Sequence, residues 1–343
     1  MKGRKIVLDH YQGREAAALL VDGRLDDVLI DSDHVRPGAI FRAICDRPLK
    51  GQGGMMLRIP NGTAFLRQGR GLHPGQAMLV QVTGHAEDGK AVPVTDRVLF
   101  KSRYAIITPG APGRNISRQI EDEEERDRLA GIAHEAMEGA DEAAFGLILR
   151  SSAEGADADD IYDDIQEMLD LAIAVMADAE GDTPEALTEG DGPHTVAWRE
   201  WSAPEVETTE GGFARNGVDQ MIDDLARPYV EIGEGTMYVE TTRALVAVDV
   251  NTGGDTSPAA ALKANLAAAR NLPRALRLRG LGGQIAVDFA PMSKAHRKQV
   301  EQSLRASFKL DAVETSLVGW TTMGLFELQR KRERLPLSQL LGD

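Results

Sequence analysis

Short runs of alternating apolar and polar residues fill the first hundred positions, and turn residues separate them. The first three runs, at 5–8, 16–21 and 27–30, predict a meander of strands. Five more runs between residues 36 and 102 match the strand number of a small closed barrel of the oligonucleotide-binding type. Their predicted bounds are 39–43, 55–59, 63–67, 78–82 and 91–95. The same pattern fits a β-barrel that binds no ligand.

After residue 103 the pattern changes to helices that alternate with strands. The predicted strands are 103–109 and 146–149, and the predicted amphipathic helices are 121–137 and 159–176. The next segment, 179–210, carries nine acidic side chains together with glycine, proline and threonine, so we expect it to be mostly loop.

The last hundred residues predict a parallel α/β layer, because strands and helices alternate there. The predicted elements are helix 218–225, strands 236–241 and 244–250, helix 259–279, strand 284–289, and a helix from Ser293 to about residue 309. Ser293 is a favourable N-cap residue, and Gly280 is a natural stop for the long helix. Pro273 lies inside that helix and is expected to kink it.

Composition restricts the class of protein. No run of eighteen apolar residues occurs and the N-terminus has no apolar region, which argues against a membrane span and a secretory signal. Cys45 is the only cysteine, so neither an internal disulfide nor a cysteine-based zinc site can form. We therefore expect a cytoplasmic protein.

The net charge of −15 is unevenly distributed. Residues 1–120 carry 18 basic and 11 acidic side chains, residues 121–240 carry 6 and 34, and residues 241–343 carry 15 and 9. Two basic flanks around an acidic middle leave nucleic-acid binding open. An acidic solvated surface with ordinary basic faces elsewhere explains the counts equally well.

Two aspartates stand at matching places in the predicted α/β layer. Asp249 lies near the end of LVAVDVN and Asp288 near the end of QIAVDF. Since the helix between them is a crossover, the two strands should lie parallel and side by side. Asn251, two residues past Asp249, points to the same side and offers a neutral oxygen. These groups fit a Mg²⁺ site, although aspartates that cap helices or pair with arginines are the alternative.

Basic residues surround this region, and they include Arg277 and Arg279 on the long helix. Such groups are able to hold a phosphate backbone, and we take Arg277 and Arg279 as candidate RNA contacts. A solvated helix face is the alternative.

Longer runs resemble a known family. AVDVNTG at 247–253 and NLAAARNLPRALRLRGLGGQIAVDFAPM at 265–292 closely resemble the catalytic region of the ribonuclease E/G family. Residues 36–102 resemble its oligonucleotide-binding domain. ITPGAPGRNISRQI at 107–120 and GLILRSS at 146–152 resemble its 5′-sensor region.

The resemblance implies a multidomain α/β architecture. An oligonucleotide-binding barrel at 36–102 would be inserted in a reduced RNase H-like region, formed by 1–35 and by the acidic segment 179–230. A 5′-sensor-like region would cover 103–178, and a DNase I-like catalytic subdomain would cover 231–343.

The resemblance also implies an activity. Asp249 and Asp288 would hold Mg²⁺, with Mn²⁺ as a substitute, and Asn251 would orient the site. Metal-activated water would cut single-stranded, A/U-rich RNA and leave a 5′-phosphate and a 3′-hydroxyl. The alternative is a non-catalytic RNA-binding member of the family.

Further roles carry over residue by residue. Arg150 and Ser151 match the pair that grips a 5′-monophosphate, and Phe65 and Lys90 match RNA-binding residues of the barrel. Two other positions depart from the family. Leu57 stands where a second aromatic would be, and Glu314 stands near the place of a sensor arginine.

The family's CPxCxGxG zinc-link is missing. We therefore expect no bound zinc and a monomer or weak homodimer. The resemblance implies single-stranded RNA as the partner, and we expect neither DNA nor a membrane to be one.

Overall fold

The computed structural model describes residues 3–49, 53–86, 89–141, 143–233 and 235–341. The chain forms two compact units, one of Asp33–Trp201 and one that combines Met1–Ser32 with Ser202–Asp343. No helix among the described residues is long and apolar enough to cross a membrane.

Strands and helices alternate along most of the described chain. The strands are β1 (Arg4–Tyr11), β2 (Arg14–Val21), β3 (Arg24–Ile30), β4 (Ile40–Leu49), β5 (Gly54–Ile59), β6 (Gly62–Leu66), β7 (Ala77–Val82), β8 (Val92–Thr95), β9 (Phe100–Lys101), β10 (Ala105–Pro109), β11 (Arg114–Ile116), β12 (Phe145–Leu149), β13 (Glu185–Thr188), β14 (Glu205–Glu207), β15 (Tyr229–Glu231), β16 (Gly235–Thr241), β17 (Val246–Thr252), β18 (Gly283–Asp288), β19 (Thr315–Trp320) and β20 (Phe326–Arg330). The helices are α1 (Glu123–Ala136), α2 (Ala158–Ala177), α3 (Pro193–Glu200), α4 (Gly212–Asn216), α5 (Val218–Asp224), α6 (Pro258–Leu278), α7 (Lys294–Lys309) and α8 (Leu337–Leu341).

In the unit Asp33–Trp201, strands β4 to β8 close into a barrel. β4 pairs with both β5 and β7, β5 pairs with β6, and β8 bridges β6 and β7. The only parallel pairing in this ring is β6–β8. Alternate residues such as Leu57, Ala64 and Val80 are fully buried inside it. The predicted five-stranded, oligonucleotide-binding-like barrel is therefore confirmed.

The rest of this unit is a small sheet packed on two helices. The sheet has the order β11-β12-β10-β9, and α1 and α2 cover it through buried residues such as Leu129, Ile161 and Ile165. Both helices were predicted within two residues of their observed ends. Asp122 and Asp157 cap them by accepting hydrogen bonds from backbone N–H groups.

The segment 179–210, predicted to be mostly loop, also contains three short elements that its pattern did not indicate. β13 pairs with residues 40–42 of β4, the part of that strand that β5 does not cover. α3 and β14 follow along the chain. The acidic side chains hid these elements because an edge strand needs only its backbone to pair. Glu185 pairs with Arg42 and Ala186 pairs with Phe41 through the backbone, for example.

The second unit contains two sheets. The meander β1–β3 is confirmed and is extended by the parallel strand β14. Lys5 on β1 is buried and forms ion pairs with Glu205 at 2.8 Å and Glu207 at 2.7 Å. Helices α4 and α5 pack on this sheet through Phe213, Val218 and other buried residues.

The other sheet has the order β15-β16-β17-β18-β20-β19. β17 and β18 are parallel neighbours, and α6 forms the crossover between them, as predicted. The other four neighbouring pairs are antiparallel, so the predicted parallel layer is limited to this pair. Helices α6 and α7 pack against one face, where Val248, Ile285 and Val287 are buried. The side chains on the other face are largely exposed, and we call it the open face of the sheet.

α6 continues through Pro273 without ending there. Pro273 is buried, and the neighbouring turns are rich in buried alanines that allow close packing on the sheet. Tertiary packing thus maintains the helix across the missing N–H.

Candidate active site

The two predicted metal aspartates lie side by side on the open face. Asp249 of β17 and Asp288 of β18 are partners in the parallel register, and both side chains are exposed. Residues paired in this way point to the same face of a sheet, about 5 Å apart. The structure therefore brings together the two carboxylates that the sequence placed at matching strand positions.

Asn251 orients one of these carboxylates. Its amide Nδ2 donates a hydrogen bond to Asp249 Oδ2 at 2.6 Å. This bond occupies the donor end of the amide and leaves Asn251 Oδ1 and Asp249 Oδ1 as acceptors. Gly235 on β16 makes room beside Asn251, because a Cβ there would lie 2.3 Å from the Asn251 carbonyl oxygen.

Neither aspartate is neutralised within the described chain. Among the described residues, Asp249 has only the Asn251 bond, and Asp288 has neither an ion pair nor a hydrogen bond through its carboxylate. Two adjacent carboxylates repel each other unless a cation lies between them. Their arrangement therefore creates a place for a positive charge that the fold does not supply.

The donor set fits Mg²⁺ better than a metal that needs a complete protein cage. Mg²⁺ is commonly held by one or two carboxylates, with water and substrate phosphate oxygens as its other ligands. Within the described ranges, no cluster of three or more His, Cys, Asp or Glu side chains could hold a metal ion. Two exposed carboxylates with a neighbouring amide oxygen make an open, oxygen-only site.

The sequence analysis missed a residue that supports this site. Asn265, on α6, is fully buried and bonds the segment that follows Asp288 in both directions. Its Nδ2 donates to Ala290 O at 2.8 Å, and its Oδ1 accepts from Ala290 N at 3.0 Å. A single asparagine thus anchors the chain two residues past Asp288 to the crossover helix. It begins the second of the two runs that carry the family resemblance, and its polarity in an alanine-rich helix is the signal that was available.

The predicted 5′-phosphate pair, Arg150 and Ser151, differs from the two aspartates because Arg150 already has partners within the protein. Arg150 follows β12, and its guanidinium donates to the carbonyls of Ser102, Arg103 and Arg199 and to Glu200 Oε2 at 2.7 Å. Ser151 is exposed. The protein itself therefore satisfies the donors of Arg150 that a phosphate would use.

Glu200, at the end of α3, is the centre of a basic cluster. Its Oε1 accepts from Lys101 at 2.7 Å and from Arg199 Nε at 2.8 Å, in addition to the Arg150 contact. Burial alone would raise the pKa of Glu200, but the hydrogen bond and charge of Lys101 and the charge of Arg150 outweigh it and lower the pKa. We call Lys101, Arg150, Arg199 and Glu200 the Glu200 cluster.

The barrel positions that match RNA-binding residues of the family differ in their exposure. Phe65 is half-buried on β6, and its ring packs on Gly54, where a Cβ would approach within 2.3 Å. Lys90 is exposed just before β8, the strand that pairs with β6. Leu57 is fully buried inside the barrel, so no side chain at that position would meet a ligand.

Arg277 and Arg279 face inward, which replaces the predicted RNA contact with a structural role. Arg277 is about 10% exposed and forms ion pairs with Asp26 at 3.1 Å, with Asp27 at 3.4 Å, and with Asp311. Arg279 donates to the carbonyl of Arg227 at 2.9 Å, and burial lowers its pKa to about 10.

A comparison with protein families bears on the same residues. The model of the ribonuclease E/G family matches residues 100–210 and 204–333, which include Asp249, Asn251 and Asp288. The chain belongs to the ribonuclease E/G family.

Curated relatives agree with this assignment. Ribonuclease E of Nostoc sp. is 26% identical over 397 aligned residues, covering 98% of this chain and 57% of the relative. Ribonuclease G of Salmonella typhimurium and that of Escherichia coli K12 are each 30% identical over 314 residues, covering 78% of this chain and 62% of the relative. The chain thus spans about three fifths of the length of these relatives. The Nostoc alignment is longer than the chain, so the relative contains segments within it that this chain lacks.

Proposed function

We propose that this chain is a Mg²⁺-dependent endoribonuclease that cleaves single-stranded, A/U-rich RNA and leaves a 5′-phosphate and a 3′-hydroxyl. The observation that carries the proposal is the register pair Asp249–Asp288 on the open face of the sheet. Both carboxylates are exposed, and neither has a cation partner among the residues that the structure describes. Relatives that match most of the chain are named ribonuclease E and ribonuclease G, which supports the same reaction class.

In this proposal the residues of the open face have separate tasks. Asp249 and Asp288 would hold Mg²⁺, which when bound promotes deprotonation of water and offsets negative charge on the phosphate. Asn251 keeps Asp249 in a fixed rotamer through the 2.6 Å hydrogen bond. Asn265 holds the segment after Asp288 in place. Because the described side chains of this face are largely exposed, a strand of RNA can lie across it.

RNA binding away from the metal aspartates is assigned to the barrel. Phe65 offers an aromatic surface and Lys90 a nearby positive charge, the two features on which single-stranded nucleic acid binding commonly depends. Arg150 and Ser151 remain the candidate 5′-phosphate site, with the difference that a phosphate would have to displace Glu200. A monomer or weak homodimer in the cytoplasm, and the RNase H-like and DNase I-like subdomain assignments, belong to the same proposal.

The test is a cleavage assay with a 5′-monophosphorylated, fluorescent A/U-rich oligomer, with and without Mg²⁺. We expect cleavage only with Mg²⁺ or Mn²⁺, and a loss of about 10³-fold or more in Asp249→Asn and Asp288→Asn. Glu327→Gln is the matched control, because it removes one exposed carboxylate from β20 in the same sheet.

RNA affinity separates the two candidate functions. Both aspartate variants should bind the oligomer with nearly wild-type affinity, since phosphate and base contacts elsewhere supply most of the binding free energy. Mg²⁺-independent binding by the wild type without any cleavage would instead identify a non-catalytic RNA-binding protein.

A further inference from the structure

Two exposed tyrosines form a pair beside the metal aspartates. Tyr229 is 43% and Tyr238 is 38% exposed, which is unusual for large aromatic side chains in a sheet. Their ring centroids lie 5.7 Å apart with an interplanar angle of 73°, an edge-to-face arrangement that holds one ring against the other.

The strand register places this pair in line with the aspartates. Tyr229 of β15 pairs with Tyr238 of β16, Tyr238 pairs with Asp249 of β17, and Asp249 pairs with Asp288 of β18. These four side chains therefore form one row across the open face. Neighbouring strands are about 4.8 Å apart, so the Tyr238 ring begins one strand away from the nearest metal aspartate.

The charge of the open face limits how it can hold RNA. Its strand residues include the exposed carboxylates Glu231, Glu240 and Glu327, and none of its positions in β15–β18 or β20 is a lysine or arginine. Carboxylates repel phosphates, so apart from the bound cation this face favours contacts to the bases over ionic contacts to the backbone. A tyrosine ring can make such a contact without a positive charge, and it accepts any base because every base has a π-face.

We propose that Tyr238, supported edge-on by Tyr229, stacks a nucleobase of single-stranded RNA next to the scissile phosphate and so sets the position of the strand across Asp249 and Asp288. The proposal rests on the proposed endoribonuclease function. It adds a specific subsite, whose ligand is the base that flanks the cleaved bond, and two positioning residues.

The first experiment uses the active chain and substrates that lack one base. A fluorescent A/U-rich oligomer is compared with versions that carry a single abasic residue on the 5′ or the 3′ side of the mapped cleavage site. In the wild type, one abasic position should lower kcat/KM by about 5-fold or more, the lower end of what one stacked base contributes. In Tyr238→Leu the intact oligomer should already show this loss, and the abasic residue should cause no further loss. Tyr238→Phe should restore most of the loss caused by Tyr238→Leu and should recover the sensitivity to the abasic residue, because the stacking ring is retained.

The second experiment measures stacking without cleavage. In Asp249→Asn, an oligomer with 2-aminopurine at the flanking position should lose fluorescence on binding, and Tyr238→Leu added to this background should abolish the quenching. Met323→Ala, which removes an exposed apolar side chain elsewhere in the same unit, is the control and should change neither readout.

The outcomes separate this inference from the proposed function. An absence of Mg²⁺-dependent cleavage in the wild type would contradict the function. Oligomers that carry 2-aminopurine at each position in turn would then still test the stacking, because quenching that Tyr238→Leu abolishes does not depend on cleavage. Normal cleavage with equal abasic effects in the wild type and Tyr238→Leu would overturn the inference alone. The same holds if Tyr238→Leu changes the molecular mass seen by light scattering but leaves RNA binding unaltered, since the pair would then be a protein contact.

Discussion

The aspartate pair Asp249–Asp288 and the Glu200 cluster both contain charged residues that the family resemblance points to. The two sites differ in whether those charges already have partners within the protein. The two aspartates are exposed and have no cation among the described residues. Arg150, in contrast, gives its donors to three carbonyls and to Glu200. The first site needs a ligand to become electrostatically satisfied, whereas the second is satisfied without one.

This difference shows that matching a motif residue by residue does not establish that its functional group is available. A cation that already has buried partners can bind a phosphate only by exchanging one set of contacts for another, so the net gain is small. A pair of exposed carboxylates without a protein cation gives up only water contacts when it binds a cation, so no ion pair has to be broken first. The contrast predicts large losses of cleavage on substitution of the aspartates and a loss of stability on substitution of the inward-facing arginines. At the Glu200 cluster it predicts only a small change in the preference for a 5′-monophosphate.

The largest effect on stability is expected at Arg277. Arg277→Leu leaves Asp311, which is about 1% exposed, with one cation fewer. It also removes the ion pair with Asp26 and one of the two arginine partners of Asp27. Breaking a buried ion pair on one side should lower the free energy of unfolding by about 3 kcal/mol or more. The measurement is urea unfolding, followed by RNA titration of the folded fraction.

Arg270→Leu is the matched control, because Arg270 is an exposed arginine on the same helix. It should change stability by less than about 0.5 kcal/mol. If Arg277→Leu instead kept wild-type stability and lost RNA affinity, the sequence-based interpretation of Arg277 as an RNA contact would be right after all.

A smaller loss is expected at Asn265. Asn265→Ala removes two buried hydrogen bonds and leaves the N–H and C=O of Ala290 without that partner. We expect a loss of about 2 kcal/mol in the free energy of unfolding, together with slower cleavage by the folded fraction because the segment after Asp288 loses its anchor.

Asn271→Ala is its control on the same helix. Asn271 makes one local bond, to the carbonyl of Ala267 at 2.9 Å, and is only half-buried. Equal destabilisation by the two substitutions would show that Asn265 has no special role beside Asp288.

The smallest effect is expected at the Glu200 cluster. In the wild type, a 5′-monophosphate should speed cleavage over a 5′-hydroxyl by only about 3-fold or less, because Glu200 already neutralises Arg150. Glu200→Gln removes this competing charge and should increase the preference, whereas Arg150→Ala should abolish it. A strong preference in the wild type that Glu200→Gln leaves unchanged would contradict the competition.

The pH dependence of stability gives a second measurement of this cluster. Since the pKa of Glu200 is lowered in the folded chain, its charge stabilises the fold above the ordinary value of 4.5, and this contribution is lost as the pH falls through the lowered pKa. The stability difference between the wild type and Glu200→Gln should therefore shrink in acid below pH 4.5. A constant difference at all pH values would show that Glu200 acts through packing rather than charge.

The sequence predicted those parts of the site that depend on local pattern. Apolar runs around Asp249 and Asp288 identified two buried strands, and the helix between them implied parallel neighbours, which is the observed register. The barrel was predicted for a similar reason, since its five strands are consecutive runs of alternating apolar and polar residues.

Contacts between distant residues were beyond the sequence pattern. Glu200 lies 50 residues from Arg150, in a segment whose acidic composition indicated loop, so nothing local revealed their ion pair. β15 has only three residues and exists because it pairs with β16, so the alignment of Tyr229 with Tyr238 could not be foreseen. Arg277 is one of several basic residues on the long helix, and only the fold shows that its side chain turns towards Asp311.

The most direct test of the central claim is a titration of the pure chain with Mn²⁺, followed by electron paramagnetic resonance or calorimetry without RNA. The account predicts one site in the wild type and in Glu327→Gln, with the affinity lowered at least about tenfold in Asp249→Asn and in Asp288→Asn, because each loses an anionic oxygen ligand. Unchanged Mn²⁺ affinity in both aspartate variants would contradict the assignment of this row as the metal site.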